Sequence, residues 1–161
     1  MAPINIENVE ILDNPTQFKN PFQIQVTFDC ISPGIRGELE WKLIYVGSAD
    51  DEKYDQLLDS VLVGPVSIGT SKFVFQAAAP DHTKIPEKDI LEVTVILLTC
   101  SYKGNEFIRV GYYVNNDFGP EEQLNREPPE HVDIDKVYRN VLSTSPRVTR
   151  FPIEWDDGLI A

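Results

Sequence analysis

Apolar residues occupy both sides of one long hairpin near the middle of the chain. A strand with one face in water normally alternates apolar and polar residues. The first strand, Leu91–Cys100, does not, and the residues of its two faces are Ile96, Leu98 and Cys100 on one side and Val93, Val95 and Leu97 on the other. A small domain has one core to cover. We therefore expect the surplus face either to bind a partner or to be covered by the protein itself.

The second strand of the hairpin, Glu106–Val114, has one continuous apolar face and one mixed face. The apolar face consists of Ile108, Val110, Tyr112 and Val114, and the mixed face of Phe107, Arg109, Gly111 and Tyr113. A three-residue loop, Lys103–Asn105, sets Val95 opposite Tyr113 and Thr99 opposite Arg109. A two-residue loop shifts the register by one residue and mixes the faces, so we predict the longer loop. The outer face then combines Val95, Leu97, Arg109 and Tyr113, which is the composition of an interface centre.

Several more short strands are indicated at regular spacing, which favours an all-β sandwich. The predicted strands are Ile4–Leu12, Pro21–Ile31, Leu39–Val46, Ser60–Val66, Lys72–Ala77 and an edge strand at Ser145–Phe151. Ser48–Asp59 is expected to be an acidic loop or a short turn, and Pro120–Pro129 a polar connection with or without one helical turn. Ile134, Val137, Tyr138, Val141 and Leu142 recur at helical spacing, so Asp133–Leu142 is predicted to be one short helix capped by Asp133.

The length of 161 residues and the net charge of −12 fit one acidic domain. We place its core at residues 1–156 and a flexible C-terminal end at 157–161. Such a charge repels DNA, RNA and anionic membranes, and it attracts basic partners. In many proteins acidic charge serves solubility alone, which is the alternative. No apolar run approaches the ~20 residues of a membrane span.

The two cysteines, Cys30 and Cys100, flank Trp41 as in immunoglobulin domains. The start of the chain shows no basic, then apolar, secretion signal, so we expect an intracellular protein with reduced thiols. The tyrosine expected two residues before the second cysteine is replaced by Leu98. Both cysteines are therefore predicted to be small buried hydrophobes, within an architecture that is still a sandwich.

The sequence contains no arrangement typical of an enzyme. His82 and His131 have no partner at metal-ligand spacing, and no nucleophile elbow or phosphate loop is present. The acidic run Asp50–Glu52 with Asp55 lacks the spacing and the glycine of a calcium-binding EF-hand. It is interpreted as a solvated loop, or alternatively as a docking patch for a basic partner. We expect no catalysis, no metal and no cofactor.

Eight segments together resemble the anti-silencing function family of histone chaperones, over about Ile4 to Trp155. They are Leu12–Pro15, Asn20–Phe22, Leu39–Lys42, Tyr45–Ala49, Tyr54–Gln56, Leu58–Pro65, Phe107–Asn116 and Pro146–Phe151. The long block FIRVGYYVNN at Phe107–Asn116 is the most specific of these. The resemblance implies an immunoglobulin-like sandwich that binds one H3–H4 heterodimer, blocks H3–H4 tetramer formation and hands histones over for nucleosome assembly and disassembly.

The resemblance also implies which residues bind. Those for H3 are Val95, Leu97, Asp50, Asp55, Asp89, Arg109 and Tyr113, and those for a strand added by the H4 C-terminal tail are Pro146, Arg147 and Val148. Downstream chaperones with short basic hairpins would dock on a second surface, on the other side of the sandwich, made of Glu38, Leu39, Asp59, Val61, Leu62 and Val63. Gly37 stands where the family usually has an acidic residue, so we expect weak hairpin binding that Gly37→Glu would strengthen.

Further expectations follow from this family. The protein is expected to be a monomer, located in the nucleus with a cytoplasmic pool, without direct contact to nucleic acid or membrane. The competing hypothesis is an intracellular immunoglobulin-like scaffold without a histone role. That hypothesis is favoured only if an oxidised Cys30–Cys100 pair is found.

Overall fold

The computed structural model describes residues 2–48, 51–118, 133–156 and 160. Its strands are β1 (Ile4–Leu12), β2 (Thr16–Gln17), β3 (Phe22–Cys30), β4 (Leu39–Tyr45), β5 (Gln56–Val63), β6 (Gly69–Ala77), β7 (Glu92–Tyr102), β8 (Asn105–Phe118), β9 (Val137–Val141) and β10 (Arg147–Arg150). The helical segments are 3₁₀ turns at Glu52–Tyr54, His82–Lys84 and Ile134–Lys136, and the four-residue α1 (Glu87–Ile90).

The strands form two antiparallel sheets, so the predicted all-β sandwich is confirmed. The small sheet has the order β1-β3-β6. The large sheet has the order β2-β9-β8-β7-β4-β5, and β10 also pairs with β8. The long strand β8 therefore carries β9 along its residues 114–118 and β10 along its residues 108–111, both on the edge away from β7.

The core lies between the inner faces of the two sheets. Phe28 of the small sheet and Trp41 of the large sheet meet with ring centroids 5.7 Å apart. The inward residues of β3 and β4 alternate with partly exposed ones along the whole of each strand. This period of two is what a half-buried strand requires. Cys30 and Cys100 are both buried free thiols, as predicted.

The hairpin of β7 and β8 has the predicted register but not the predicted loop. Val95 pairs with Tyr113 and Thr99 with Arg109, as expected. The turn, however, has two residues, because Tyr102 pairs with Asn105. A register shift next to Cys100 then leaves Phe107 as an extra residue in β8. This bulge restores the predicted faces from Ile108 onward. Phe107 itself, predicted on the mixed outer face, is buried at 5% exposure.

The predicted helix at Asp133–Leu142 is wrong. Only Ile134–Lys136 is helical, as one 3₁₀ turn, and Val137–Val141 form β9. Val137, Arg139 and Val141 all point inward. Arg139 is only 2% exposed. Because arginine is rarely buried, its presence at an inward position interrupts the alternation of apolar and polar residues by which a strand is recognised in the sequence. Among the described residues, the one short α-helix lies earlier in the chain, at Glu87–Ile90.

Backbone carbonyls satisfy the buried Arg139 guanidinium. Nη1 donates to the carbonyls of Phe18 at 3.1 Å and Asn20 at 2.9 Å, and Nη2 donates to that of Pro21 at 3.2 Å. The guanidinium also lies 3.7 Å above the ring of Phe22. Burial lowers the pKa of Arg139 to about 10, so it stays charged at neutral pH. These contacts bind β9 to the segment between β2 and β3 and favour the strand over a helix.

One further boundary differs from the sequence prediction, and two predicted segments lie wholly or mostly outside the described residues. The acidic stretch expected to be a loop up to Asp59 is already strand β5 from Gln56 onward. The predicted polar connection Pro120–Pro129 lies outside the described residues. Of the expected flexible end at 157–161, only Ile160 is described, and it forms an isolated antiparallel bridge with Glu154.

Candidate functional site

The outer face of the large sheet carries the surplus apolar residues predicted from the hairpin. The strand register aligns them in rows. Leu57, Ile44, Leu97 and Gly111 form one row across β5, β4, β7 and β8, with Arg147 of β10 at its end. Val95 and Tyr113 form the neighbouring row. Tyr113 is 55% exposed and Leu57 56% exposed, so the described part of the chain leaves this face uncovered.

A depression of about 300 Å³ lies at the centre of this face. Its lining includes Val95, Leu97, Arg109, Gly111, Tyr113, Arg147 and Thr149. Gly111 contributes to the depression because it has no side chain. A Cβ there would lie 3.4 Å from Leu97 Cδ2 and 3.9 Å from Val95 Cγ1. Four of the predicted H3-binding residues, Val95, Leu97, Arg109 and Tyr113, are thus brought together by tertiary structure.

Charged groups border the depression. Arg109 Nη2 forms an ion pair with Glu106 Oε1 at 3.2 Å, and Arg109 Nε is buried without a hydrogen-bond partner in the described part. Partial burial raises the pKa of Asp55, and Glu52 adds to this effect. The charge of Arg109 lowers the pKa of Asp55, so the two predicted partners act on one another. An arginine beside an exposed aliphatic patch is typical of binding hot spots.

Two other predicted acidic residues lie away from this centre or outside the described ranges. Asp89 belongs to α1, just before β7, and its buried Oδ2 has no hydrogen-bond partner among the described residues. A buried carboxylate oxygen without a partner in the free protein is available to a donor from a ligand. Asp50 lies outside the described residues, so its role stays a prediction.

The exposed apolar face extends further than the sequence-based site. Val93 is 56% exposed, Leu142 is 42% exposed and Tyr138 is 40% exposed. The Leu142 backbone N–H donates to the carbonyl of Tyr113 at 2.8 Å, which places Leu142 beside the depression. The alternation of β7 had already put Val93 on this face. Tyr138 and Leu142 were missed because they were assigned to a helix.

Strand β10 divides the predicted H4-tail residues between two surfaces. Arg147 pairs with Gly111 and lines the outer depression. Pro146 and Val148 instead line a groove of about 260 Å³ between β10 and β1. This division follows from the period of two in a strand.

The groove between β10 and β1 has an apolar floor and continues beyond Arg150. Val110, Tyr112 and Ile108 of β8 line it. A second cavity of about 240 Å³, which shares Ile108 and Arg150, extends it toward Phe151. In the described part of the sheet, β10 pairs only with β8, so its other edge is open to an added strand.

The second predicted surface lies along the edge strand β5. Leu62 is 65% exposed, Glu38 and Asp59 are exposed, and Val61 and Val63 are half-buried. Leu39 is fully buried at 0% exposure, so it supports this surface from beneath and cannot contact a partner directly.

The two predicted surfaces are separated along the strands rather than by sheet face alone. Leu62 pairs with Glu40, which pairs with Ser101, so Leu62 shares the outer face with Val95. Val95 and Ser101 are six residues apart in β7, which corresponds to roughly 20 Å along the strand. The expectation that the whole second surface lies on the opposite side therefore does not hold for Leu62.

Gly37, which precedes this surface, has little room for a side chain. A Cβ at this position would lie 3.1 Å from Cε1 and 3.2 Å from the hydroxyl oxygen of Tyr102. Both distances are shorter than ordinary van der Waals contact. A side chain at position 37 therefore requires Tyr102 to shift by a few tenths of an ångström, and the expectation that Gly37→Glu strengthens the surface stays a prediction.

Chemical sites other than binding surfaces are not found within the described ranges. They contain no group of three or more His, Cys, Asp or Glu residues that could hold a metal ion. Burial raises the pKa of both thiols, Cys30 and Cys100, which keeps them protonated and unreactive. No helix in the described part is long and apolar enough to cross a membrane.

Comparison with known proteins identifies the family. The family model described as "ASF1 like histone chaperone" matches residues 1–156. The probable histone chaperone ASF1A of Arabidopsis thaliana is 61% identical over 155 residues, covering 96% of this chain and 78% of the relative. Histone chaperone ASF1 of Mycosarcoma maydis is 56% identical over 161 residues, covering 100% of this chain and 91% of the relative.

An animal relative shows the same likeness. Histone chaperone asf1 of Drosophila melanogaster is 55% identical over 160 residues, covering 99% of this chain and 72% of the relative. Histone chaperones are binding proteins and not enzymes. This agrees with the prediction from the sequence that the protein catalyses no reaction. A match over nearly the full length at this identity confirms the resemblance seen in the sequence, and the chain belongs to the family of ASF1-like histone chaperones.

Proposed function

We propose that this protein binds one H3–H4 heterodimer through the outer face of its large sheet. The observation that carries the proposal is the depression around Val95 and Leu97, which leaves an aliphatic centre exposed and flanks it with Arg109 and Tyr113. Contiguous apolar patches on the surface of a domain are unusual unless a partner covers them. Membership in a histone chaperone family supports histones as that partner.

The shape of the face suits a helix. Val95, Leu97 and Tyr113 lie on two neighbouring strands, and Leu142, just after the end of β9, extends the patch beyond Tyr113. An amphipathic helix would lay its apolar side in the depression, while its basic residues meet Asp55 and Asp89 at the margin. If that helix is the one by which two H3–H4 dimers pair, one bound chaperone excludes the second dimer. Tetramer formation is then blocked by competition for a single surface.

The H4 C-terminal tail would add a strand to the open edge of β10. Backbone hydrogen bonds would hold the tail, and its alternate side chains would enter the groove lined by Pro146 and Val148. Arg147 faces the other way, into the depression proposed for H3. The two histones would then contact adjoining surfaces of β10, which fits recognition of a heterodimer rather than of either histone alone.

Downstream assembly chaperones would dock on the edge of β5. Glu38 and Asp59 offer exposed carboxylates, and Leu62 offers an exposed apolar side chain. A short basic hairpin could complement both features. Because Leu62 lies roughly 20 Å along the sheet from Val95, histones and a downstream chaperone could be held together and transferred. Such a cycle places the protein in the nucleus, with a cytoplasmic pool that meets new histones.

Size-exclusion chromatography with light scattering tests the histone proposal. Purified H3–H4 mixed with the protein should elute as one complex with one copy of each chain. The protein alone should elute as a monomer. An H3–H4 tetramer that persists beside free chaperone at micromolar concentration contradicts the proposed blocking of tetramer formation.

Separate mutations test whether the two surfaces are independent. Glu38→Ala with Asp59→Ala should weaken binding of a synthetic β-hairpin peptide whose turn carries Arg and Lys. The H3–H4 affinity should stay within about a factor of two, because residues without shared contacts act additively. Loss of histone binding in this double variant, or competition between the peptide and H3–H4, contradicts two independent surfaces.

A further inference from the structure

The last described segment of the domain closes over one end of the sandwich. Trp155 is 3% exposed and stacks on Tyr102, with ring centroids 5.3 Å apart and planes inclined by 21°. It also meets the ring of Phe107 edge-on at 4.7 Å. The aromatic packing fixes the next residue, Asp156, beside the turn between β7 and β8.

Asp156 and Tyr102 together hold two consecutive backbone N–H groups. The Arg36 N–H donates to Asp156 Oδ2 at 2.6 Å, and the Gly37 N–H donates to the Tyr102 hydroxyl at 2.8 Å. The Tyr102 hydroxyl in turn donates to the Asp156 carboxylate at 2.9 Å. Lys103 Nζ completes the set, 2.8 Å from Asp156 Oδ1. A buried carboxylate with these donors is a strong, fixed acceptor.

The backbone of Arg36 and Gly37, held by these hydrogen bonds, directly precedes the second surface in the chain. Glu38 follows Gly37, and Leu39 then begins β4 paired with Val63. The Glu38 side chain lies over Gly64, where a Cβ would come within 2.6 Å of Glu38 Cγ. Glu38 is therefore fixed on one side by sheet pairing and on the other by the captured N–H groups. Its side-chain direction depends on both.

Given the second surface proposed above, we infer that Asp156 and Tyr102 are positioning residues for the docking of basic hairpins. They touch no partner themselves. By holding the backbone of Arg36 and Gly37 they direct the Glu38 carboxylate along the edge of β5, where the hairpin binds. Side chains that are held in place before binding lose less conformational entropy on docking. The segment around Asp156 thus supports the second surface from behind, without contacting the partner.

Three single variants separate positioning from stability. Tyr102→Phe keeps the aromatic stack but removes the hydroxyl, and Asp156→Ala removes the nearer of the two acceptors of the Arg36 N–H. Each should weaken binding of the synthetic Arg- and Lys-bearing hairpin peptide roughly five- to tenfold. This loss corresponds to the net contribution of about one hydrogen bond. Lys103→Ala is the matched control, because it breaks the ion pair with Asp156 and leaves both captured N–H groups in place. It should change peptide affinity less than about twofold.

A double-mutant cycle gives a result that a merely structural role would not produce. In a Glu38→Ala background, Tyr102→Phe should have almost no further effect on the peptide, because the group that it positions is gone. Affinity for H3–H4 should stay unchanged in every variant. Amide hydrogen exchange at Gly37 should be faster in Tyr102→Phe than in the unmodified protein.

The contrary outcomes are distinguishable. Equal losses from Tyr102→Phe with and without Glu38, or a parallel loss of H3–H4 binding, would show general destabilisation and overturn the inference. Unchanged peptide affinity in both Tyr102→Phe and Asp156→Ala, with Glu38→Ala still impaired, overturns the positioning role and leaves the second surface intact. If Glu38→Ala alone binds like the unmodified protein, the second surface itself is wrong and the positioning role fails with it.

Discussion

Replacement of Val95 by arginine gives the sharpest perturbation of the proposed histone face. Val95 is half-buried on the outer face of β7, opposite Tyr113 and next to Leu97 in the depression. In the free protein an arginine at this position can extend into water. We therefore expect the free energy of unfolding to change by less than about 1 kcal/mol.

In the complex the same arginine would be enclosed in an aliphatic centre. The lost apolar contact of the remaining exposed valine surface is worth about 1 kcal/mol. A buried guanidinium without an acceptor costs about 1–3 kcal/mol more. The lining of the depression contains two arginines, Arg109 and Arg147, and no carboxylate. A third positive charge would therefore have no acidic partner there. The sum of about 2–4 kcal/mol corresponds to roughly 30- to 1000-fold weaker binding.

Isothermal titration of H3–H4 into each variant at moderate salt measures the effect, and thermal unfolding measures stability. Val74→Arg is the matched control, since Val74 is 51% exposed on β6 of the small sheet. The control should bind histones like the unmodified protein. Val95→Arg that still binds within a few-fold would refute the assignment of the histone face. Unfolding of that variant would place Val95 in the core instead.

Three further outcomes are expected. Asp55→Ala and Asp89→Ala should each weaken H3–H4 binding modestly, because acidic charges at the margin attract basic histones. The association rate constant, measured by stopped flow, should also decrease less between low and ~0.5 M salt than in the unmodified protein. Gly37→Glu should strengthen hairpin binding in a peptide titration, because it adds a carboxylate next to Glu38 at the cost of a shift of a few tenths of an ångström in Tyr102; weaker binding would show that Tyr102 does not move. The ion pair with Lys103 and hydrogen bonds from Tyr102 and Arg36 lower the pKa of Asp156 to about 2 from 3.8. The stability that Asp156 contributes is therefore complete above about pH 4 and is lost as the pH falls toward 2. The free energy of unfolding of Asp156→Asn should accordingly fall less steeply with pH in this range. An unchanged acid-unfolding profile would contradict the ion pair.

The sequence determined the two faces of the β7–β8 hairpin. Side chains of a strand alternate between its two faces with a period of two. The apolar residues Ile96 and Leu98 in β7, and Ile108 and Val110 in β8, therefore defined an inner face for any length of the turn. The turn itself was mispredicted. Only the structure shows that the extra residue Phe107 is accommodated as a bulge, because the core, and not the loop, decides the register.

The tertiary structure alone decided β9. Local spacing of Ile134, Val137 and Val141 fits a helix, whereas the pairing with β8 and the carbonyl ligands of Arg139 favour a strand. Those partners are more than a hundred residues away in sequence for Arg139, and no local pattern can reveal them.

The sites divide in the same way between sequence and structure. Alternation and family resemblance named Val95, Arg109 and Tyr113 in advance. The open edge of β10, its groove against β1, and the burial of Leu39 depend on which strands become neighbours. A sequence specifies which side of a strand is apolar, but the surface exposed by the fold depends on contacts between segments distant along the chain.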